Sequence, residues 1–174
     1  MPPPWPAGGG LPPALDYLRW LMDADGKSTA LKALQGLLWQ EGFRQGELRG
    51  RLYPDVAPAL ARWQGQGRST FIYSSGSVLA QRLIFSKSDA GDLSPLIAGY
   101  FDTTTGPKKD AASYGAIAAR IGLDPGDVMF VSDSLEEIAA ARAAGMRAAL
   151  CAREGTDRAA PEAIGSFDAL APGE

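Results

Sequence analysis

Apolar residues between positions 14 and 66 recur at the spacing of an α-helix. Leu15 and Leu18 lie on one helical face, and a second apolar stripe runs through residues 31–38. A third amphipathic stretch covers residues 54–65, with proline at its start and glycine at its end. This part of the chain therefore predicts a set of helices.

After residue 69 the pattern changes to short apolar runs that alternate with amphipathic segments. The runs are typical of buried strands, and the segments between them are typical of helices closed by glycine. Such alternation predicts an α/β fold with a doubly wound parallel sheet. The predicted strands are 70–73, 99–101, 128–131 and 148–151, and the predicted helices are 78–85, 110–121 and 135–144.

These patterns divide the chain into four parts. Residues 1–13 are rich in proline and glycine and are predicted to be disordered. Residues 14–66 form the helical region, residues 67–160 form the α/β core domain, and residues 161–174 form a tail without a clear pattern.

Composition excludes several classes of function. The 174 residues contain no histidine, which rules out Ser-His and Cys-His catalysis and histidine-based zinc sites within one chain. A net charge of −3 argues against nucleic acid or an anionic membrane as the main partner. The single cysteine, Cys151, has no partner for an internal disulfide. Together with an opening segment that lacks signal-peptide features, these properties predict a cytoplasmic protein.

Hydroxyl side chains follow the first predicted strand of the core domain. Ser74, Ser75 and Ser77 lie between that strand and the next helix. Hydroxyls and free amides at a helix N-terminus suit a phosphate group, because the helix dipole is positive there. The alternative is that these serines only cap the helix.

A lysine and a carboxylate lie at two further connections. Lys108 follows a Gly-Pro pair before a predicted helix and suits an anionic phosphate, although a solvated surface lysine is the alternative. Asp133 ends the strand 128–131 and suits Mg²⁺, although a second helix cap is the alternative. Because ligands bind at the carboxyl ends of parallel strands, we expect the three groups to lie close together.

Several longer strings of residues are distinctive. They are residues 27–39 (Lys-Ser-Thr-Ala-Leu-Lys-Ala-Leu-Gln-Gly-Leu-Leu-Trp), Tyr73-Ser74-Ser75-Gly76-Ser77-Val78, Gly99-Tyr100-Phe101-Asp102-Thr103, and Ser132-Asp133 followed by Glu137. On these strings the chain resembles the acireductone synthase (enolase-phosphatase) family of the haloacid dehalogenase superfamily over about residues 15–155.

The resemblance implies a phosphoric monoester hydrolase of methionine salvage. Its Mg²⁺-dependent reaction enolises 2,3-diketo-5-methylthiopentyl 1-phosphate and then dephosphorylates it to the acireductone. Ser74 and Ser75 are expected to bind the phosphate, Lys108 to neutralise it and Asp133 to hold Mg²⁺. The helical region 14–66 becomes a cap over the substrate, with Trp20, Met22 and Trp39 as apolar candidates for its pocket. We expect a monomer that acts on a small phosphorylated molecule and binds neither nucleic acid nor membrane.

One part of the family pattern is missing from the sequence. The family's first strand, central in its sheet, ends in an Asp-x-Glu-Gly-Thr motif that supplies the nucleophile, and no such motif occurs here. Residues 23–29 (Asp-Ala-Asp-Gly-Lys-Ser-Thr) imitate it, but they follow a segment of helical spacing and are rejected. We therefore expect an incomplete sheet, and an acireductone-synthase-type enzyme that is inactive unless a partner segment supplies the missing strand. The alternatives are a non-catalytic phosphate-binding module and a fragment without function.

Overall fold

The computed structural model describes residues 40–153 and 163–170, which fall into two units. The first unit ends at Leu48, and its described residues 40–45 are helical. The second unit begins at Arg49, so residues 49–66 pack with the α/β elements, although their sequence pattern grouped them with the helical region. Residues 1–39, which include the predicted disordered segment and most of the helical region, lie outside the described residues.

The second unit consists of alternating helices and strands. Its described residues form the helices α1 (Val56–Gly65), α2 (Val78–Ser86), α3 (Ala111–Ile121) and α4 (Leu135–Ala143). They also form the strands β1 (Phe71–Tyr73), β2 (Gly99–Phe101), β3 (Met129–Ser132) and β4 (Arg147–Leu150). Each element lies within two residues of its predicted position, and the predicted α/β class is confirmed.

Local side chains determine where the helices begin and end. The Asp110 carboxylate accepts a hydrogen bond from Ala112 N at 3.0 Å and caps α3. Gly122 ends α3 in the left-handed conformation, with φ of 74°. Ser77 and Ser134 cap α2 and α4 in the same way as Asp110 caps α3. These caps fix where each helix starts relative to the strand before it.

The strands form two parallel pairs rather than one continuous sheet. β1 pairs with β2, and β3 pairs with β4. Within the described ranges no strand joins β1 to β3, as expected for a sheet without its central strand. A cavity of about 850 Å³ is lined by all of β1 and by residues 129–131 of β3.

Tyr114 of α3 connects the two strand pairs. Its side chain is fully buried. Its ring makes edge-on contacts with Tyr73 of β1 at 5.7 Å and with Phe130 of β3 at 4.8 Å. Both strand pairs therefore pack against the same helix.

Residues beyond the core domain also pack on this unit. Phe167, in a 3₁₀ turn over Phe167–Ala169, stacks on Trp63 of α1 at 5.5 Å. Asp55, at the start of α1, forms a bidentate ion pair with Arg153 and accepts a hydrogen bond from Phe167 N. Part of the segment predicted as a tail, residues 163–170, is thus joined to α1 and to the loop after β4.

The described helices are all too short or too polar to cross a membrane.

Candidate functional site

Lys108 lies in a half-buried polar cluster after β2. Its ammonium forms a 2.7 Å ion pair with Glu137 Oε1. The Ser132 hydroxyl donates a 2.7 Å hydrogen bond to the other Glu137 oxygen. Only 23% of the Lys108 side chain and 12% of the Glu137 side chain are exposed, so the pair is partly desolvated. Lys108 is thus held beside the carboxyl end of β3, and the alternative of a freely solvated surface lysine is wrong.

Asp133 extends from the same strand end into solvent. Its side chain is exposed and makes no ion pair or hydrogen bond with another described residue. Beside it, a cavity of about 260 Å³ is lined by Ser132, Asp133, Cys151 and Arg153, among others. Ser134, not Asp133, caps α4 by accepting a hydrogen bond from Glu137 N. The carboxylate is therefore available to a ligand.

The serines after β1 take different roles. Ser77 caps α2 through a 3.2 Å hydrogen bond from Ala80 N, so the capping interpretation is confirmed for this residue. The Ser74 hydroxyl accepts a hydrogen bond from Gly76 N, which shapes the turn. Ser75 is exposed and makes no hydrogen bond with the described residues. Ser74 and Ser75 remain candidates for phosphate binding.

Neighbouring residues bring these groups to one region of the unit. The Lys108 ammonium lies 5.9 Å from the centre of the Tyr73 ring, and Tyr73 directly precedes Ser74 in the chain. Glu137, which pairs with Lys108, also accepts a hydrogen bond from Ser132. Ser132 directly precedes Asp133 in the chain. No hydrogen bond or ion pair within the described ranges joins Ser75, Lys108 and Asp133 directly to one another. Their meeting at a common ligand stays a prediction.

Two features of this region were not predicted as part of the site. Glu137 entered only as part of a family string, although a carboxylate four residues after Asp133 lies on the first turn of α4 and faces the strand end. The ion pair of Arg153 with Asp55 borders the cavity beside Asp133, and no spacing in the sequence indicates that contact.

The described residues provide no group of three or more carboxylate, cysteine or histidine ligands for a metal ion. Both Glu137 oxygens are already engaged, whereas the exposed Asp133 carboxylate has no partner among the described residues. Mg²⁺ accepts such a site when phosphate and water supply the other oxygens. Asp133 therefore fits the role of one ligand but does not complete a metal site.

Comparisons with known proteins identify the family. Residues 13–145 match the model of haloacid dehalogenase-like hydrolases. An enolase-phosphatase E1 of Azotobacter vinelandii is 51% identical over 155 residues, which is 89% of this chain and 68% of that protein. The chain belongs to the enolase-phosphatase family. A second enolase-phosphatase E1, from Synechococcus elongatus, is 54% identical over 88% of this chain and 64% of its own length.

A solved structure has a similar fold. The UTR4 protein of Saccharomyces cerevisiae superposes with a TM-score of 0.75 and 33% sequence identity. The match covers 86% of this chain and 69% of the yeast chain. The UTR4 protein thus shares the fold of this chain, and the chain spans about two-thirds of the length of the relatives it matches.

The residues that imitate the nucleophile motif, Asp23 and Asp25 among them, lie outside the described residues. So do the family string at residues 27–39 and the apolar candidates Trp20, Met22 and Trp39.

Proposed function

We propose that this chain carries the phosphate-binding part of an enolase-phosphatase site. The proposed substrate is the small phosphate ester 2,3-diketo-5-methylthiopentyl 1-phosphate, and the proposed cofactor is Mg²⁺. We place the protein in the cytoplasm as a monomer in methionine salvage. The observation that carries the proposal is the Lys108–Glu137 ion pair, which Ser132, the residue directly before Asp133, joins to the end of β3.

Lys108 is suited to an anionic ester because its ammonium has three donors and Glu137 occupies one of them. Glu137 holds that ammonium in place, and Ser132 holds Glu137. A phosphate that meets an ordered cation in a partly desolvated cluster gains more than it would from a flexible surface lysine. Ser74 and Ser75 add hydroxyl donors from the end of β1.

Asp133 would hold the metal ion. When bound, Mg²⁺ would neutralise the phosphate charge and help to orient the ester. The exposed Asp133 side chain supports this role, because it has no competing partner among the described residues.

Cleavage of the ester needs a nucleophilic carboxylate in addition to these groups. The 174 residues contain no Asp-x-Glu-Gly-Thr motif, and the carboxylate that contacts Lys108 already uses both of its oxygens. These two observations favour a second candidate function, a phosphate-binding module without turnover.

Two measurements on the same protein separate the candidates. The first is calorimetric titration with inorganic phosphate, with and without Mg²⁺. Lys108→Met should weaken binding about tenfold or more, whereas Lys109→Met, which removes an exposed lysine, should change it less than about twofold. Asp133→Asn should remove the effect of Mg²⁺ and leave metal-free binding nearly unchanged.

The second measurement is release of inorganic phosphate from the proposed substrate. Release assigns the chain as an enzyme, and release that Asp25→Asn abolishes would place the nucleophile in residues 23–29. Phosphate binding without release assigns the non-catalytic module. If circular dichroism shows a folded chain but neither binding nor release is found, the proposal is wrong.

A further inference from the structure

Three consecutive peptide carbonyls before α3 each accept a hydrogen bond from a different side-chain hydroxyl. The Tyr73 hydroxyl donates to Gly106 O at 2.8 Å. The Ser113 hydroxyl donates to Pro107 O at 2.8 Å. The Tyr114 hydroxyl donates to Lys108 O at 2.6 Å. We call Tyr73, Ser113 and Tyr114 the hydroxyl clamp.

The hydrogen-bond donors of the clamp lie on one strand and one helix. Tyr73 ends β1, while Ser113 and Tyr114 lie on the first turn of α3. Ser113 and Tyr114 are buried, and the two phenol rings pack edge-on at 5.7 Å. Burial raises the pKa of both phenols, so each keeps the proton that it donates.

The loop is shaped to admit the clamp. Gly106 has φ of 147°, a backbone conformation that side chains rarely adopt. A Cβ atom at this position would lie 2.2 Å from the Ser113 hydroxyl oxygen. Glycine at position 106 thus allows the loop to approach α3 closely enough for all three bonds.

We propose that the hydroxyl clamp is a positioning device for Lys108. By fixing the carbonyls of residues 106–108, Tyr73, Ser113 and Tyr114 set the point from which the Lys108 side chain reaches Glu137. The Tyr73 ring also lies beneath the ammonium. The consequence for phosphate affinity rests on the proposed function, whereas the effect on Lys108 itself does not.

The first test measures how fast an amine-reactive reagent labels Lys108, with the neighbouring Lys109 as an internal reference. Tyr114→Phe keeps the buried ring and removes one donor. The ratio of Lys108 to Lys109 labelling should rise about fivefold, which is the population change expected from the loss of one hydrogen bond. Because Lys109 is already exposed, a general loss of stability would also raise the ratio, and denaturant unfolding of the same variant measures that loss.

Tyr73→Phe provides a second variant, since it also keeps its ring, and it should raise the ratio by a similar factor. Tyr100→Phe is the matched control. Its hydroxyl is buried but has no hydrogen-bond partner among the described residues. If the ratio of Lys108 to Lys109 labelling is the same in Tyr114→Phe, Tyr73→Phe and Tyr100→Phe, the proposal is overturned.

The second test is phosphate affinity in a double-mutant cycle. Tyr114→Phe should weaken binding of inorganic phosphate about fivefold when Lys108 is present and have no effect in the Lys108→Met background. Equal weakening in both backgrounds would overturn the clamp as a device for Lys108. If the unmodified chain binds no phosphate, the proposed function fails, and the labelling ratio still decides whether the clamp holds Lys108.

Discussion

Charged residues that are adjacent in sequence have very different surroundings in this protein. Lys108 and Glu137 form a half-buried pair, whereas their neighbours Lys109 and Glu136 form an exposed one. Exposed pairs contribute little to stability because solvent screens them, while removal of one partner from a buried pair leaves an unpaired charge. The two pairs therefore form a natural comparison.

Glu137→Gln is expected to lower the free energy of unfolding by about 1–3 kcal/mol, because it removes the counter-charge of Lys108 and weakens the acceptor of Ser132. Glu136→Gln should change it by less than about 0.5 kcal/mol. Urea unfolding of both variants measures the difference. Equal effects would show that the Lys108 cluster is no more desolvated than the surface.

Replacing either of two glycines near the clamp by alanine should change the stability of the protein, in opposite directions. Gly106→Ala places a methyl group against Ser113 at a strained φ and should destabilise the protein by about 2 kcal/mol. Gly115→Ala meets nothing within 4 Å in the interior of α3 and should stabilise it by about 0.5–1 kcal/mol. Thermal unfolding checks both, and a neutral Gly106→Ala would contradict the close approach of the loop.

At the scale of elements, a single ion pair connects three separate parts of the second unit. Asp55 begins α1, Arg153 follows β4, and Phe167 lies in the last described turn. The Arg153 guanidinium binds Asp55 through two 2.8 Å contacts and also lies 4.9 Å from the centre of the Phe167 ring. The pair holds these elements at the border of the cavity beside Asp133.

This pair predicts a pH dependence of stability. Hydrogen bonds from Arg153 are the largest cause that lowers the pKa of Asp55 below its usual value. Because the pKa of Asp55 is lower in the folded state, its ionised form stabilises the fold. This stabilisation is fully present above the pKa of the unfolded state, about 3.9, and is lost as the pH falls through the pKa of the folded state. Asp55→Asn should therefore lower the free energy of unfolding by about 3 kcal/mol near neutral pH. The difference in this free energy between the variant and the unsubstituted protein should become smaller below about pH 4.

Denaturant unfolding between about pH 2 and 7 measures this difference. Asp168→Asn is the control, because its 3.4 Å pair with Arg62 is largely exposed and should contribute less than about 0.5 kcal/mol. A difference for Asp55→Asn that stays constant over the whole range would contradict the role of the ion pair.

At the scale of the whole molecule, the main feature is the division of the sheet between β1 and β3. The cavity of about 850 Å³ is lined by β1 and β3 and also by residues of α1 and α3. Both bordering strands belong to parallel pairs, and both contact Tyr114.

An added strand should therefore stabilise the protein. A peptide of six alternating valines and isoleucines, flanked by lysines for solubility, should raise the melting temperature by about 3–5 °C at ten times its dissociation constant. The same peptide with a central proline should not, because proline cannot donate within a sheet. Absence of any shift with the first peptide would show that the cavity does not accept a strand.

Local patterns in the sequence were sufficient to predict the α/β class, the positions of the helices and strands, and the family. These follow from hydrophobic periodicity, from caps such as Asp110 and Gly122, and from strings of adjacent residues, all of which are local. It also indicated Lys108 and Asp133, because Lys108 lies in the connection between a strand and a helix and Asp133 directly follows a strand.

Which side chains meet could not be predicted without the fold. The pairing of Lys108 with Glu137, the three hydroxyls on residues 106–108 and the contact of Asp55 with Arg153 all join segments that are distant in sequence. Local patterns carry no information on such contacts, because they depend on how the helices pack against the strands. The same packing set the boundary of the second unit at Arg49, since apolar periodicity identifies a helix but not the surface on which it packs.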